Sequence, residues 1–258
     1  MFGFFKKKKK VQPATMTTVL CIPGNWKDRT ELITAVVRAN EGEFLMAGGV
    51  LMHLPSQEGF RVEIEGEESQ LEQSFRVAGS WEELGEAFYE EIKNHQQVLY
   101  ISGNTGSLEG AKALAEAAQA LLKAGGLGVK VETAGKAFTK AQWTTQLTDF
   151  QEANLYQMFV MTPITDEQGN YFSCGMHNLG AKDTYLKIEG EDLETAAELL
   201  DIFSYYQLLE QPIIKDGQTF GIAVGAPVYR IEKLSQQPYK GEELFKNPYG
   251  MWKLKKIT

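Results

Sequence analysis

Cys174, His177, Asn178, Lys182 and Asp183 fall within one short run, the densest set of chemically capable side chains in the chain. A cysteine with a histidine nearby could act as a thiolate nucleophile and its base, and the same pair could be half of a metal site. Both readings meet a geometric objection. Residues three apart in an extended strand point to opposite faces, so Cys174 and His177 meet only if the strand ends or bulges at Gly175. A structural zinc site also needs four ligands, and the chain has two cysteines and three histidines (His53, His95 and His177). The expectation is therefore no metal and no cofactor. The plain reading of Cys174 is a buried, inert thiol. His177, Asn178, Lys182 and Asp183 remain a candidate binding cluster.

A second candidate is Gly103-Asn104-Thr105-Gly106-Ser107, which follows an expected strand and opens an expected helix. Backbone N–H groups and the helix dipole at such a place can hold an anion. The Gly-Lys-Ser/Thr ending of a nucleotide-binding loop and the six-residue dinucleotide fingerprint are both absent. The plain alternative is a turn with a serine cap. The acidic runs from Glu63 to Glu72 and from Glu82 to Glu91 show no paired-carboxylate spacing and read as solvated faces.

The elements that must position these groups follow from periodicity. Apolar and polar residues alternate on either side of the turn-forming Asp166 to Asn170, which predicts a hairpin of Tyr156 to Pro163 with Asn170 to His177. A third strand, Asp183 to Ile188, leads into a helix from about Asp192 to Glu210, ended by Pro212. Upstream, Thr17 to Ile22 reads as a strand and Asp28 with Glu31 as the capping box of a helix. Strands follow at Phe44 to Leu54 and Phe60 to Glu65, with a further short strand possible at Phe75 to Ala78. Ser80 and Glu83 predict a helix start whose core face is Trp81, Leu84, Phe88 and Ile92. Gln97 to Ser102, Ser107 to Ala124 and Gly128 to Glu132 then form a strand-helix-strand crossover, expected to be parallel. Ala134 to Thr148 should be a helix or an irregular arm, and the aromatic-rich end from Pro238 to Trp252 leaves two alternatives open, packing on the body or on a partner.

These elements predict an α+β protein of two packed subdomains. The first, residues 16–150, is a split β-α-β, ferredoxin-like sandwich extended by an extra α-β unit; the second, residues 151–258, is a β-hairpin or meander with one long helix. Residues 1–15 read as a disordered basic tail. A chain of 258 residues, 43% hydrophobic and 23% charged, supports a proper core. A net charge of −8 argues against a nucleic-acid partner. Two well-separated cysteines suit a reducing, cytoplasmic compartment. At the N-terminus three phenylalanines precede Lys6 to Lys10, an order opposite to that of an export signal and compatible with weak peripheral attachment to the inner face of a membrane.

The run Cys174-Gly175-Met176-His177-Asn178-Leu179-Gly180-Ala181-Lys182-Asp183, the helix after it and the turn Asp216-Gly217-Gln218-Thr219-Phe220-Gly221 resemble the C-terminal pattern of a bacterial family, domain of unknown function 4261. In that pattern a Gly-Met, a later Gly, an acidic residue and an Asp-Gly-x-Thr turn recur in this order. The resemblance covers roughly residues 17–231, with the lysine tail and the segment after Ile231 matching poorly. It implies a bacterial cytoplasmic protein with no established activity, and it carries over no catalytic residue. Gly175, Gly180 and Asp216-Gly217 make sense as architecture, which favours fold maintenance over chemistry. The expected function is a non-catalytic protein-binding module, related to self-protection or stress by analogy. The alternatives are a hydrolase or transferase using a cleft between the subdomains, and a peripheral membrane protein held by Phe2 to Lys10.

Overall fold

The computed structural model describes residues 16–239 and 243–257; the basic tail over residues 1–15, with its membrane-attachment reading, lies outside the described residues. The strand β1 (Met16–Gly24) decides the arrangement of the first unit. Its Leu20 and Ile22 face one side and Cys21 the other, and all three are fully buried, so layers must cover both faces. Along the chain follow α1 (Arg29–Ala39), β2 (Phe44–Ala47), β3 (Val50–His53), β4 (Glu58–Glu65), α2 (Leu71–Ala78), α3 (Glu86–Lys93) and β5 (Gln97–Thr105). Then come α4 (Leu108–Lys123), β6 (Gly128–Val131), β7 (Lys136–Thr139), α5 (Lys140–Leu147) and α6 (Glu152–Phe159). Among the described residues these strands form one sheet in the order β2-β3-β4-β5-β1-β6-β7, every neighbour antiparallel.

The helices divide between the faces. Leu32 and Val36 of α1 and Leu114 and Leu121 of α4 pack with Leu20 and Ile22. Phe75 of α2 and Phe88 and Ile92 of α3 pack with Cys21 and Val98 on the other side. The alanines of α4 let neighbours approach closely on its buried face, while Glu109, Lys112, Glu116, Gln119 and Lys123 recur at helical spacing as a polar stripe. As expected, Asp28 caps α1 by accepting the Glu31 N–H, but the Glu31 carboxylate accepts the N–H of Lys27, one residue before the cap, instead of that of Asp28, each at 2.9 Å.

Several expectations are corrected. The crossover strands β5 and β6 are parallel to each other, but β1 lies between them and antiparallel to both. The split β-α-β motif is thus β5-α4-β6 around β1, and helices on both faces make three layers instead of a two-layer sandwich. Phe75 to Ala78 is helical in α2, because Leu71, Phe75 and Ala78 make one buried stripe. The Ser80 capping box is unused; Gly85, at φ +79°, precedes α3 and leaves Trp81 61% exposed, so only Leu84, Phe88 and Ile92 join the core. The arm after Ala134 is ordered as β7 and α5.

The predicted strand at Tyr156 is the largest miss. Leu155, Tyr156, Met158 and Phe159 are all buried in the first core as α6, and a short run of apolar residues does not by its period distinguish strand from helix. The polar stretch before it is the helix cap, with the Gln151 N–H donating to Asn154 Oδ1 at 2.7 Å.

The second sheet begins one residue after the cap of α6. Its strands are β8 (Met161–Thr165), β9 (Tyr171–Cys174), β10 (Asp183–Leu186), then, after α7 (Leu193–Tyr205), β11 (Thr219–Phe220), β12 (Tyr229–Lys233) and β13 (Met251–Lys256). The order is β11-β12-β13-β10-β9-β8, and only the β10–β13 pair is parallel. Of the two alternatives for the aromatic-rich end, packing on the body is the one found: β13 lies in the middle of the sheet between β12 and β10. Leu200 and Phe203 of α7 cover one face against Leu186, Tyr229, Ile231, Trp252 and Leu254. The chain is thus α+β throughout. No described helix is long and apolar enough to cross a membrane.

One turn of the second unit's chain is inserted into the first unit. After Cys174 the backbone reverses at Gly175 (φ +114°), makes a single 3-10 turn at Met176–Leu179 and leaves through Gly180 (φ +82°). A Cβ on Gly175 would lie 2.1 Å from the Phe159 carbonyl oxygen, and one on Gly180 2.3 Å from that of Gly106. Both glycines are needed for conformation and for space. Replacing Gly175 with Ala is expected to cost about 3 kcal/mol, from forced left-handed backbone together with a backbone clash, read as a lowered urea midpoint at unchanged slope.

Asp166 fixes the β8–β9 hairpin, accepting from the Gln168 and Asn170 N–H groups and from the Tyr185 hydroxyl (2.6 Å). Burial alone would raise its pKa, but these donors outweigh it and hold the carboxyl below its usual value. A carboxyl with a lowered folded-state pKa stabilises above its unfolded pKa, and that stabilisation is lost as pH falls through the folded value. The stability gap between wild type and Asp166→Ala should accordingly be larger at pH 7 than at pH 3 in urea titrations.

Candidate functional site

The joining turn holds two of the four cluster residues, His177 and Asn178, and Lys182 and Asp183 follow directly after it. His177, Asn178 and Asp183 are fully buried, whereas Lys182 alone reaches a cavity. The Asn178 amide oxygen accepts from the Thr18 hydroxyl (2.6 Å) on β1 and the Thr133 hydroxyl (2.9 Å) after β6, and its nitrogen donates to the Phe159 carbonyl (3.2 Å) ending α6. Its own carbonyl accepts the Gly106 N–H (2.9 Å). One side chain and one peptide group thereby fasten four parts of the first unit to the second.

Asp183 is held by neutral donors. Its carboxylate accepts from the Met176 N–H (3.0 Å), Asn247 Nδ2 (2.8 Å) and the Ser173 hydroxyl (3.4 Å). His177 Nδ1 lies 4.0 Å from Asp183 Oδ2, beyond hydrogen-bond reach, and neither ring nitrogen has a hydrogen-bond partner. Asn247 is nearly as buried as its partner and also donates to the Ala181 carbonyl (3.0 Å). Nothing in the sequence around Asn247 marks this role, since it sits in a segment without periodicity and meets Asp183 only because β13 pairs with β10.

Both thiols are unsuited to attack. Burial pushes Cys174 well above the usual thiol pKa and Asp183 adds to the rise; burial and then Glu132 do the same to Cys21. The Cys174 thiol faces the Thr133 carbonyl at 3.9 Å, not a base. Among the described residues no three His, Cys, Asp or Glu side chains converge as metal ligands.

The glycine-containing loop is shorter than expected, because β5 continues through Thr105. Gly103 lies against Phe60 and Leu114, where a Cβ would come within 2.9 Å of the Phe60 ring. Asn104 is exposed on the strand, and the Thr105 hydroxyl meets that of Thr18 at 2.6 Å. Gly106 takes φ +88°, and Ser107 caps α4 by accepting the Gly110 N–H (3.1 Å). Gly106 and Ser107 belong to the wall of the same cavity as Lys182, so the fold brings together the end of one candidate set and one member of the other.

That cavity, of about 740 Å³, lies where the two units meet. Its walls come from the start of α4, the exit of the joining turn, the segment after α7 and the strand-leading residues Tyr249 and Trp252. The Lys182 ammonium stands 4.4 Å from the centre of the Trp252 ring. Burial, followed by the charge of Lys233, lowers its pKa. The cleft expected between the subdomains is present, but His177, Asn178 and Asp183 do not line it.

Comparison of the chain with protein-family models, curated proteins and solved structures finds no match. The geometry of the site is accordingly the ground for its functional reading. Replacing Asn178 with Ala would leave the Thr133 hydroxyl and the Phe159 carbonyl without this partner, and the Thr18 hydroxyl with only Thr105, and should cost about 3 kcal/mol. Urea unfolding checks this, and Thr18→Val combined with Asn178→Ala should be less than additive because the two share a bond.

Proposed function

We propose that the protein is a non-catalytic binding module that engages a protein partner through the loop between β11 and β12. The observation that carries this reading is Gly221-Ile222-Ala223-Val224-Gly225-Ala226-Pro227-Val228, a run without a charged or strongly polar side chain that stands largely in solvent. Val224 is fully exposed and Ile222 is 42% exposed. Isolated apolar residues on a surface are ordinary, but a continuous apolar loop presented at a sheet edge is the composition of a contact surface. Its two-residue edge strand offers little backbone for strand addition, so the partner recognised is one with an apolar groove that takes Ile222 and Val224 as side-chain anchors.

The non-catalytic half of the reading is supported by burial of both thiols and by the use of Asn178 and Asp183 as structural ties. Membership of the family resembled by residues 174–183 and 216–221, a bacterial origin and a cytoplasmic setting are parts of the same proposal. The glycines of that pattern are explained by the joining turn, which supports a role in architecture.

The test places a photo-crosslinking amino acid at Val224 in cells and repeats the experiment with Ile222→Asp in the same chain. One dominant protein adduct, lost with Ile222→Asp, is expected. Neither exposed change should move stability by more than about 0.5 kcal/mol, which thermal unfolding checks. An adduct that survives Ile222→Asp unchanged, or no dominant adduct, overturns the reading.

A further inference from the structure

We infer that the cavity between the two units binds a small organic monoanion with an aliphatic or aromatic body, its anionic group held by Lys182. This site is separate from the loop of residues 221–228, which contributes nothing to its wall.

Size is the first ground. About 740 Å³ falls within the range of small-molecule sites, and the walls combine Leu208, Ile213, Ile214 and Trp252 with a few polar groups. Such a lining buries a ligand's carbon skeleton while leaving orientation to the polar contacts.

Charge is the second. Among the described residues the Lys182 ammonium has no carboxylate within ion-pair distance; its neighbours are the Trp252 ring face at 4.4 Å and the charge of Lys233. A half-buried cation with another cation nearby and no anion is costly to keep charged. An anionic ligand removes that cost, and the desolvated setting makes the resulting hydrogen bond stronger than on an open surface. The ring of Trp252 stabilises the ammonium from one side without neutralising it, which leaves its donors for a ligand.

A donor without an acceptor is the third. The Tyr249 hydroxyl is buried and has no hydrogen-bond partner, and Tyr249 lines this cavity. It stands above Gly106, where a Cβ would approach within 2.6 Å, so the glycine leaves room for it. Tyr249 and Lys182 both line the cavity, and a carboxylate offers two acceptor oxygens, one for the ammonium and one for the phenol once its hydroxyl turns from Gly106 towards the ligand.

Glu109 sets the limit on ligand charge. It lines the cavity from the first turn of α4, so one formal positive charge and one formal negative charge face the space. That balance repels dianions and polyphosphates and tolerates a single negative charge on the Lys182 side.

The test titrates full-length protein with benzoate and hexanoate, with their neutral amides benzamide and hexanamide, and with phenyl phosphate, following the indole N–H resonance of Trp252. In wild type at least one carboxylate should bind about tenfold or more tightly than its amide, and phenyl phosphate should bind more weakly than benzoate. Lys182→Met, which keeps an apolar stem over Trp252, should reduce the carboxylate to the level of its amide without altering amide binding. Lys182→Arg should retain the preference, which separates loss of charge from loss of fold. The inference is overturned if no carboxylate shifts Trp252 up to about 10 mM, if amides bind equally well to wild type, or if the preference persists in folded Lys182→Met.

Discussion

Asn178 is the constraint on which the two-unit arrangement depends. Its amide satisfies a hydroxyl on β1, another after β6 and the carbonyl that ends α6, while its backbone carbonyl takes the N–H of Gly106 at the head of α4. These partners come from positions far apart in the chain, so no local segment could supply them. Met176 and Leu179, on the same turn, enter the first unit's core as apolar plugs. The turn is thus an inserted piece of the second unit's chain that completes the first unit's packing. Where it exits, at Gly180 to Lys182, it forms a wall of the cavity. The position of the Lys182 ammonium follows from the position of Asn178.

Buried polar groups are numerous at this junction, and most are satisfied by neutral partners. Among the described residues Asp183 accepts from the Met176 N–H, the Asn247 amide and the Ser173 hydroxyl, and no lysine or arginine lies within ion-pair reach of it. Lys136 donates to the Gln157 carbonyl, and burial lowers its pKa. Tyr156 donates to Asp201 at 2.7 Å, tying α6 to α7, and burial raises the carboxyl's pKa in spite of that bond. Networks of this kind add little net stability compared with apolar packing, but they are costly when misaligned. They therefore select one relative placement of the two sheets from the many that apolar surfaces alone would permit.

What could be read from the sequence was what depends on near neighbours. The Asp28 cap, the alternation of Phe60 and Val62 in β4 and the alanine-rich α4 with its Ser107 cap all obey local rules, and the structure keeps them. Local rules failed where tertiary burial outweighed them. Tyr156 and Phe159 lie in a helix because the first core surrounds them, and Phe75 does likewise against Phe88. The Ser80 box had valid chemistry but no buried surface for Trp81 to reach. The candidate cluster was visible as composition, yet its burial was not, because whether a polar side chain faces water or Thr133 is fixed by residues forty or more positions away. Asn247 and β13 were hidden for the same reason.

The division of labour between the two candidate sets follows from this geometry. A histidine, an asparagine and an aspartate inside a dry junction cannot meet a ligand without opening the fold, and opening it would break the bonds that hold the units together. Lys182 escapes that fate by lying two residues after Gly180, where the chain turns outward. Its stem leaves the junction while its backbone carbonyl stays within it, accepting from Gln207 at 3.2 Å. Gly106 and Ser107 are brought to the same place because Asn178 holds the Gly106 N–H. The interaction that closes the core therefore also shapes the opening beside it, so a change that loosened Asn178 would disturb both at once, whereas a change confined to the Lys182 ammonium would leave the fold intact.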